Sequence, residues 1–308
     1  MNQPEWYIIL NPMAANGRAE RVWPEIAKLL EVSKLDYEMV RTQRRNHAAD
    51  LVAAGTARGF YKIMAIGGDG INNEVINGIF LQKHIPTQKI EYTLIPMGTG
   101  NDWSRMHKIP TDYHQWIPLL AKAVKVKQDI GVLSYFKNNT PQKRYFANVA
   151  GLAYDGFLCK KMSEKKDFTN AIGFLWLTLK ELFKYELRPA KVVFDKYEII
   201  DHFYTINIGI CRYSGGGMQF VPHAISDDGL LALTIAGPLS KWNVMLNSWR
   251  FYNGTIPRHP LVKTFQTKEV VIETIGDLPT DVEVDGEYLG TTPVRCTILE
   301  KALIILKP

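Results

Sequence analysis

Residues 62–78 read KIMAIGGDGINNEVING and pass from an apolar run into a glycine-rich loop, which is followed by a helical pattern. The run before Gly67 predicts a buried strand, and the pattern after Asp69 predicts a helix. Glycines at such a junction let backbone N–H groups approach phosphate oxygens, and the N-terminus of the next helix adds a positive dipole. The stretch therefore predicts an anion-binding loop between a strand and a helix, with a plain tight turn as the alternative.

The same order of strand and helix extends over the first part of the chain. Strand-like and helical segments alternate there as WYIIL, RAERVWPEIAKLLEV, YEMVR, HAADLVAAGTARG, YKIMAI, NNEVINGIFLQK, YTLIP and HQWIPLLAKAVKV. This alternation predicts a parallel sheet covered by helices, in which ligands bind at the carboxyl ends of the strands.

The alternation of predicted strands and helices ends near residue 129. After it, strand-like segments follow one another, as in RYFANVAGLAY, YTINIGI and LLALTIAG. Asn138-Asn139 and Asp285-Gly286 stand between extended runs and predict hairpin turns. We therefore expect an α/β domain over residues 1–129 and a mostly antiparallel β domain over residues 130–308. Helical patterns at 170–185 and 240–254 interrupt the second domain. Each could line an acyl-chain pocket or touch a membrane, but capping of the β domain is the simpler interpretation.

The composition is that of a globular protein with a moderate excess of positive charge. Of 308 residues, 46% are hydrophobic, and 37 Lys and Arg against 31 Asp and Glu give a net charge of +6. This charge suits an anionic ligand or an acidic membrane surface, and it is compatible with nucleic acid too. A basic surface with no partner is an equal alternative, and we expect no nucleic-acid partner. The three cysteines lie far apart, which favours a reduced, cytoplasmic setting. With no run of about 18 apolar residues and no signal-like N-terminus, neither export nor membrane spanning is predicted.

Two further loops, at residues 11–17 and 96–102, follow predicted strands and would open at the same edge of the sheet. Asp69 lies in the glycine loop after residue 66, and Asp102 lies in the loop at 96–102. Both carboxylates would repel phosphate unless a cation lay between the acids and the phosphate. Mg²⁺ accepts carboxylate and phosphate oxygens together, so the pair of acids favours a magnesium site. In the alternative, Asp69 supports a turn and Asp102 caps the helix that begins near Trp103. No P-loop or dinucleotide fingerprint occurs, which disfavours those two nucleotide-binding folds. HExxH and GxSxG patterns are absent too, so zinc hydrolysis and serine esterase chemistry have no support.

Six short motifs follow in order along the chain: NP in the first loop, GGDG with NEVING, PMGTGND, FANVAGLAYD, DDGLL and VDGE. Together they resemble the catalytic domain of diacylglycerol kinases and the wider family that includes sphingosine kinases, ceramide kinases and bacterial lipid kinases. GGDG by itself also occurs in NAD kinases and phosphofructokinases, whereas its combination with PMGTGND and VDGE is specific. The resemblance covers nearly the whole chain.

This resemblance implies an ATP- and magnesium-dependent lipid kinase whose two domains flank a cleft. The nucleotide would bind a NAD kinase or phosphofructokinase-like α/β domain, and a β-sandwich-like domain would contribute the lipid site and the catalytic base. By similarity, the residues around ATP would be Asn11, Thr42, Gly68, Asp69, Gly70, Ile71, Asn72, Asn73, Glu74 and Thr99. Asp69 and Asp102 would organise the catalytic Mg²⁺, and Glu287 would accept the proton of the lipid hydroxyl.

The resemblance also implies a second, structural Mg²⁺, held by Asp228 and the carbonyls of Ile225 and Leu230. A simple turn is the alternative interpretation of this segment, and likewise of the VDGE segment. One position departs from the family pattern GGDGT, because Ile71 replaces the threonine whose hydroxyl could contact phosphate or metal. Asn72 beside it could partly substitute for that hydroxyl.

Three functions compete on these observations. The leading one is transfer of the ATP γ-phosphoryl group to the hydroxyl of a membrane lipid, diacylglycerol or a related lipid. The enzyme would be cytoplasmic, in peripheral contact with the anionic inner face of the membrane. An NAD kinase-like enzyme would share the GGDG loop, but PMGTGND and DDGLL argue against it. A non-catalytic lipid or nucleotide sensor is motivated by Ile71. The sequence does not fix the oligomeric state, so a homodimer stays open.

Overall fold

The computed structural model describes residues 3–164, 178 and 180–308. The chain forms two compact units. The first comprises Met1–Ile130, Gly215–Gly217 and Leu299–Pro308, and the second comprises Gly131–Ser214 and Met218–Ile298. Most of the helix predicted at residues 170–185 lies outside the described residues.

In the first unit, strands and helices alternate along the chain. They are β1 (Trp6–Leu10), α1 (Ala14–Val32), β2 (Tyr37–Arg41), α2 (His47–Ala57), β3 (Lys62–Gly67), α3 (Asp69–Leu81), β4 (Glu91–Pro96), α4 (Asp102–Met106) and α5 (Tyr113–Leu119). The strands run parallel in the order β2-β1-β3-β4, and Ile304 and Ile305 pair with the start of β4 in the same direction. The predicted parallel α/β fold is confirmed.

The apolar character of these strands explains the core of the first unit. Every residue of β1 and of β4 is buried, as expected of parallel strands that are covered on both faces. Helix α1 packs against α5, and α2 packs against α3. The parallel sheet is thus buried, and the loops that leave its carboxyl ends carry polar residues, among them Asp69 and Asp102.

The helical prediction for HQWIPLLAKAVKV is wrong at its C-terminal end. Helix α5 ends at Leu119, a 3-10 turn covers Leu120–Lys122, and strand β5 (Val124–Lys137) begins directly afterwards. Valine and lysine alternate from Val124, and this period of two suits a strand with one face exposed better than a helix.

The second unit is mostly antiparallel β, as predicted. After β5 its strands are β6 (Thr140–Phe146), β7 (Val149–Ala153), β8 (Arg188–Phe194), β9 (Tyr197–Phe203), β10 (Thr205–Gly209), β11 (Tyr213–Ser214), β12 (Met218–Gln219), β13 (Leu231–Ala236), β14 (Val262–Thr267), β15 (Glu269–Thr274), β16 (Asp281–Val284), β17 (Glu287–Thr291) and β18 (Val294–Lys307), whose residues from Leu299 onward belong to the first unit. One sheet has the antiparallel order β14-β13-β10-β7-β16-β17, and a second joins β15 to β8 and β8 to β9.

Among the described residues, helices α6 (Tyr154–Glu164), α7 (Lys241–Asn247) and α8 (Trp249–Tyr252) accompany these strands, and residues 180–184 are helical as well. Both predicted hairpin turns are confirmed: Asn138 and Asn139 have φ of 50° and 59°, and Asp285 and Gly286 have φ of 48° and 82°. Two consecutive residues with positive φ are typical of the tight turn that matches the twist of paired strands. Within the part of the chain that the structure describes, no helix is both long and apolar enough to cross a bilayer.

Candidate active site

Three loops leave the carboxyl ends of β1, β3 and β4 and lie against one another. A Cβ atom placed on Gly68 would lie 2.9 Å from the Cα of Gly98, so the second and third loops touch through their backbones. The N–H of Met97 donates to the carbonyl of Gly67 across 2.7 Å, and the N–H of Asn11 donates to the carbonyl of Ile66 across 3.0 Å. The loops that the sequence places at one sheet edge are therefore in direct contact.

Asp69 begins α3, and its carboxylate is directed to a different helix. Its Oδ1 accepts the backbone N–H of Asp102 across 3.0 Å and that of Trp103 across 3.4 Å, which are the first two residues of α4. N–H groups in the first turn of a helix have no partner inside the helix, and a carboxylate there satisfies them and favours the helix dipole. Asp69 thereby holds the β4 loop to the β3 loop.

Asp102 is buried and receives two backbone donors of its own. Its Oδ1 accepts the N–H of Gly217 across 2.6 Å, and its Oδ2 accepts the N–H of Gly216 across 2.8 Å. The segment Gly215–Gly217 curls around the carboxylate with φ of 63°, 85° and 99°, a backbone that favours glycine. Burial raises the pKa of Asp102, while the two N–H groups and the Arg105 guanidinium lower it.

The alternative interpretation of Asp102 as a helix cap does not describe this structure. The residue before α4 is Asn101, which has a φ of 50°. Its side-chain amide donates to the carbonyl of Gly98 across 2.8 Å and accepts the N–H of Gly98 across 2.9 Å. Asn101 therefore closes the loop that contains Thr99 and Gly100, and the Asp102 carboxylate is left to the Gly215–Gly217 segment.

The two acids converge over Gly100. A Cβ atom placed there would lie 2.9 Å from Asp69 Oδ2 and 3.4 Å from Asp102 Oδ2, so a side chain would fill the space in front of both carboxylates. Carboxylate oxygens are hard ligands that suit Mg²⁺, which commonly binds one or two protein carboxylates and completes its shell with water and phosphate. Across the described residues no cluster of three or more His, Cys, Asp or Glu forms a cage for a metal. The pair Asp69 and Asp102 fits a magnesium ion of this partly hydrated kind.

The residues after Asp69 are turned into the protein. Ile71 is buried, and a Cβ atom on Gly67 would lie 2.7 Å from its Cγ2. Asn72 is buried, with its Oδ1 accepting the hydroxyl of Tyr92 across 2.7 Å, and Asn73 is buried too. The side chains of these three residues are buried in the first unit, with Ile71 packed against the glycine loop at Gly67.

Other residues expected around ATP have structural partners or lie open. Glu74 accepts the N–H of Asn46 across 2.8 Å and that of Ala48 across 3.1 Å, so it caps the N-terminus of α2. Asn11 accepts the N–H of Met13 across 3.0 Å and shapes the first loop. Three further residues lie near the strand ends. Thr42 follows β2, and its N–H donates to the carbonyl of Leu10, the last residue of β1. Thr99 is exposed, and a Cβ atom on Gly70 would meet no atom within 4 Å.

In the second unit, Glu287 follows the tight turn between β16 and β17 and is half-buried. The turn is fixed by its neighbours on both sides. Asp285 accepts the N–H of Val149 across 3.0 Å and that of Asn148 across 3.2 Å, and Glu283 accepts the N–H of Gly286 across 2.8 Å. The backbone that carries Glu287 therefore has a defined position within its unit.

A pair of acids lies close to this turn, with Glu283 buried and Asp155 half-buried. Burial raises the pKa of Glu283 well above its ordinary value, against the N–H of Gly286, and neighbouring Asp155 raises it further. Burial also raises the pKa of Asp155 to about 6, although hydrogen bonds from Thr205 and Asn207 lower it. A Cβ atom on Gly151 would lie 2.5 Å from Glu283 Oε1, so the pair is tightly enclosed.

Asp228 forms a turn in the second unit. Its Oδ1 accepts the N–H of Leu230 across 3.0 Å, and its Oδ2 accepts the side-chain amide of Gln266 across 3.1 Å. Ile225 is exposed nearby in the chain. These bonds are what the simple-turn interpretation predicts, and the second magnesium site stays a prediction.

Sequence reasoning missed three features of these sites. The three consecutive glycines at Gly215–Gly217 were a visible signal, because such a run is unusual outside tight backbone packing. Asp155 stands in the FANVAGLAYD motif but carries no role in the sequence interpretation. Glu283 gives no signal, since an acid two residues before a turn in a strand is ordinarily exposed.

Comparisons with known proteins agree with these observations. Residues 5–133 match the model of the diacylglycerol kinase catalytic domain, and residues 150–307 match that of the YegS C-terminal NAD kinase beta sandwich-like domain. The chain is 27% identical over 305 residues to a diacylglycerol kinase of Staphylococcus carnosus, which covers 98% of this chain and 94% of that protein.

Two solved structures share the fold. A diacylglycerol kinase of Bacillus anthracis has a TM-score of 0.72 at 21% identity, with 100% of this chain and 98% of that chain covered. A yeast NADH kinase in complex with NADH has a TM-score of 0.53 at 11% identity, with 100% and 84% covered. The expected likeness of the fold to NAD kinases is confirmed.

Proposed function

This chain belongs to the diacylglycerol kinase family of lipid kinases, and from that premise we propose that it transfers the γ-phosphoryl group of ATP to the hydroxyl of a membrane lipid. Diacylglycerol or a related lipid would be the acceptor, and Mg²⁺ would be required. We propose that the reaction takes place at the inner face of the membrane, reached by a cytoplasmic enzyme in peripheral contact with it.

The observation that carries this proposal is the convergence of Asp69 and Asp102 over Gly100 at the carboxyl edge of the parallel sheet. Backbone N–H groups of the glycine loops would hold the phosphates of ATP, with Asn11, Thr42, Gly70 and Thr99 around them. Asp69 and Asp102 would hold Mg²⁺, which when bound neutralises charge on the transferred phosphoryl group. Phosphoryl transfer asks a protein mainly for positioning and charge neutralisation, and this arrangement suits both.

Glu287 would accept the proton of the lipid hydroxyl. A hydroxyl is a weak nucleophile, and a carboxylate within hydrogen-bond reach can take its proton as the oxygen attacks the γ-phosphate. The bonds that Asp285 and Glu283 make to their neighbours support this role, because they fix the backbone of the turn that carries Glu287. For Asp228 we propose the structural magnesium site that the family resemblance implies, with the carbonyls of Ile225 and Leu230.

Incubation of the purified chain with radiolabelled ATP, Mg²⁺ and a total lipid extract of the host tests the proposal. We expect label in a lipid phosphate, whose identification names the acceptor. Normal ATP binding without labelled lipid would contradict the kinase and support the sensor. Label transferred to NAD but to no lipid would support the NAD kinase-like alternative.

A further inference from the structure

A helical segment of the second unit exposes large apolar side chains in a row. Helices α7 and α8 are joined by Ser248, which keeps a helical backbone with φ of −57° and ψ of −30°, so the chain is nearly one helix from residue 241 to residue 252. Trp242, Leu246 and Trp249 are 62%, 71% and 53% exposed. Their spacing of four and then three residues places them on one helix face.

Two more exposed rings extend this row. Tyr252 is exposed at the end of α8, and the half-exposed ring of Phe183 meets Trp242 edge-on with centroids 5.6 Å apart. The ammonium group of Lys241 donates to the Phe183 carbonyl, which fixes the two segments together. We call the five side chains the aromatic patch: Phe183, Trp242, Leu246, Trp249 and Tyr252.

The opposite face of the same helix is already used by the core of the unit. Val244 is buried, and Asn243, Asn247 and Phe251 line a narrow pocket together with Tyr204. The aromatic patch is therefore not needed to attach the helix to its unit. A group of exposed aromatic and aliphatic side chains of this kind marks a surface that meets a partner or a membrane.

The charges around the patch indicate which partner it meets. The helical segment from residue 241 to residue 252, which carries four of the five patch residues, contains no Asp or Glu but has Lys241 and Arg250. Beside Phe183, Glu181 is buried and pairs with Lys184, which leaves Glu186 as the other acid near it in the sequence. The Arg250 guanidinium lies 5.0 Å from the centroid of the Trp249 ring. Basic side chains beside Trp, Tyr and Leu on one helix are typical of segments that lie in the interface of an anionic bilayer.

We propose that the aromatic patch docks this chain on an anionic lipid bilayer, with its rings in the headgroup region and the neighbouring basic side chains on the lipid phosphates. The proposal rests on the proposed function, since a lipid acceptor requires a membrane-docked enzyme. A second copy of the chain suits the patch less well, because it would bring the same acid-free basic segment of both copies together.

Vesicle co-sedimentation tests the patch. The probes are vesicles of phosphatidylcholine mixed with phosphatidylglycerol, and vesicles of phosphatidylcholine alone. We expect the chain to bind the anionic vesicles more tightly, and the double variant Trp242→Ser with Trp249→Ser to bind them about tenfold more weakly or worse. Leu246→Ser should weaken binding as well. Its matched control is Leu278→Ser, since Leu278 is 59% exposed in a loop of the same unit outside the patch. Leu278→Ser should leave vesicle binding unchanged.

A second measurement is made first on the unaltered chain, so its main result does not depend on how well a variant folds. Brominated phosphatidylcholine in the anionic vesicles should quench tryptophan fluorescence on binding, and Trp242→Phe with Trp249→Phe should remove most of that quenching. Vesicle binding by the patch variants equal to that of the unaltered chain overturns the proposal, as does equal loss with Leu278→Ser. A patch variant that converts a dimer to a monomer in sedimentation, with vesicle binding unchanged, would assign the patch to a second copy instead.

The two proposals fail separately. Activity on a short-chain, water-soluble diacylglycerol should be the same in the patch variants as in the unaltered chain, whereas activity on vesicles should fall with vesicle binding. If no lipid is phosphorylated but the patch still binds vesicles, the proposed function fails and the docking surface stands. If lipid is phosphorylated and the patch variants bind vesicles normally, the docking surface fails and the function stands.

Discussion

The carboxylate of Asp69 accepts a hydrogen bond from the backbone N–H of Asp102 across 3.0 Å. The side chain of one acid thus sets the start of the helix that carries the other. Because both carboxylates also face Gly100, a displacement of either one alters the spacing of the pair. Charge and geometry can be separated experimentally, since an amide keeps the acceptor oxygen but removes the charge.

For Asp69, we expect Asp69→Asn to abolish magnesium-dependent activity and leave the fold intact. The amide oxygen can still accept the N–H groups of Asp102 and Trp103, whereas the negative charge for Mg²⁺ is gone. Asp69→Ala should lose both the acceptor oxygen and the negative charge. Its free energy of unfolding should therefore fall by about 1 kcal/mol, as for removal of a helix cap. Turnover against magnesium concentration and urea denaturation measure the two effects. Full activity of Asp69→Asn at ordinary magnesium would place the metal elsewhere.

For Glu287, the substitution Glu287→Gln should lower kcat by roughly a hundredfold or more, as expected for loss of a general base. The amide preserves the shape of the side chain, and Asp285 and Glu283 hold the turn through their own hydrogen bonds. The KM for ATP should therefore change little. Steady-state kinetics with saturating lipid make the measurement, and an unchanged kcat would remove Glu287 from the mechanism.

The glycine segment around Asp102 offers a test of positioning. Gly216 has a φ of 85° and no atom within 4 Å of an added Cβ, so Gly216→Ala strains the backbone without a clash. The strain, about 1–2 kcal/mol, should loosen the N–H contact to Asp102 and lower activity by between about tenfold and a hundredfold. Half-saturation by Mg²⁺ should shift upward as well.

The matched control for this variant is Gly276→Ala. Gly276 has a φ of 67° and equally open surroundings, but it lies in a loop of the second unit. In urea denaturation, the midpoint of Gly276→Ala should fall about as much as that of Gly216→Ala. The dependence of its activity on magnesium should be that of the unaltered chain. Equal activity and magnesium response in the two variants would mean that Gly216 has no positioning role.

The half-buried acid Asp155 should make stability depend on pH. Its pKa is raised from 3.8 to about 6 by burial, so the folded chain keeps a proton that the unfolded chain has lost over this range. Stability from this group is therefore present at low pH and is lost as pH rises from about 4 to about 6, by up to about 3 kcal/mol. Asp155→Asn should lack this slope. Urea denaturation of both proteins at a series of pH values tests it, and parallel curves would contradict it.

The fold was accessible from the sequence because its signals are local. The apolar run ending at Gly67 and the helical period after Asp69 determine a strand, a loop and a helix without help from distant residues. Parallel strands then place their carboxyl-end loops at one edge, which is why Asp69 and Asp102 could be expected to lie near each other. The prediction is wrong at the end of α5 because the helical pattern before Val124 was continued into VKVK, whose period of two indicates a half-exposed strand.

The finer features of the site depend on tertiary contacts that no local pattern encodes. Glu74 stands beside the loop in sequence, but its carboxylate caps α2, whose position only the folded unit determines. Gly216 lies more than a hundred residues after Asp102 and meets it through backbone N–H groups, which leave no side-chain signature. The burial of Glu283 likewise follows from the close approach of Gly151.

Ile71 is the position where the sequence departs from the family pattern, and its buried side chain makes the departure testable. Cγ2 of Ile71 lies against Gly67, so Ile71→Thr keeps this contact while a hydroxyl replaces the longer branch. We expect the regained hydroxyl to lower the KM for ATP and its burial to cost about 1–3 kcal/mol of stability. Ile71→Val is the control, since it loses volume at about 0.5–1.5 kcal/mol without adding a hydroxyl, and its KM should not change. A higher KM for ATP in Ile71→Thr alone would show that isoleucine is adapted to this site.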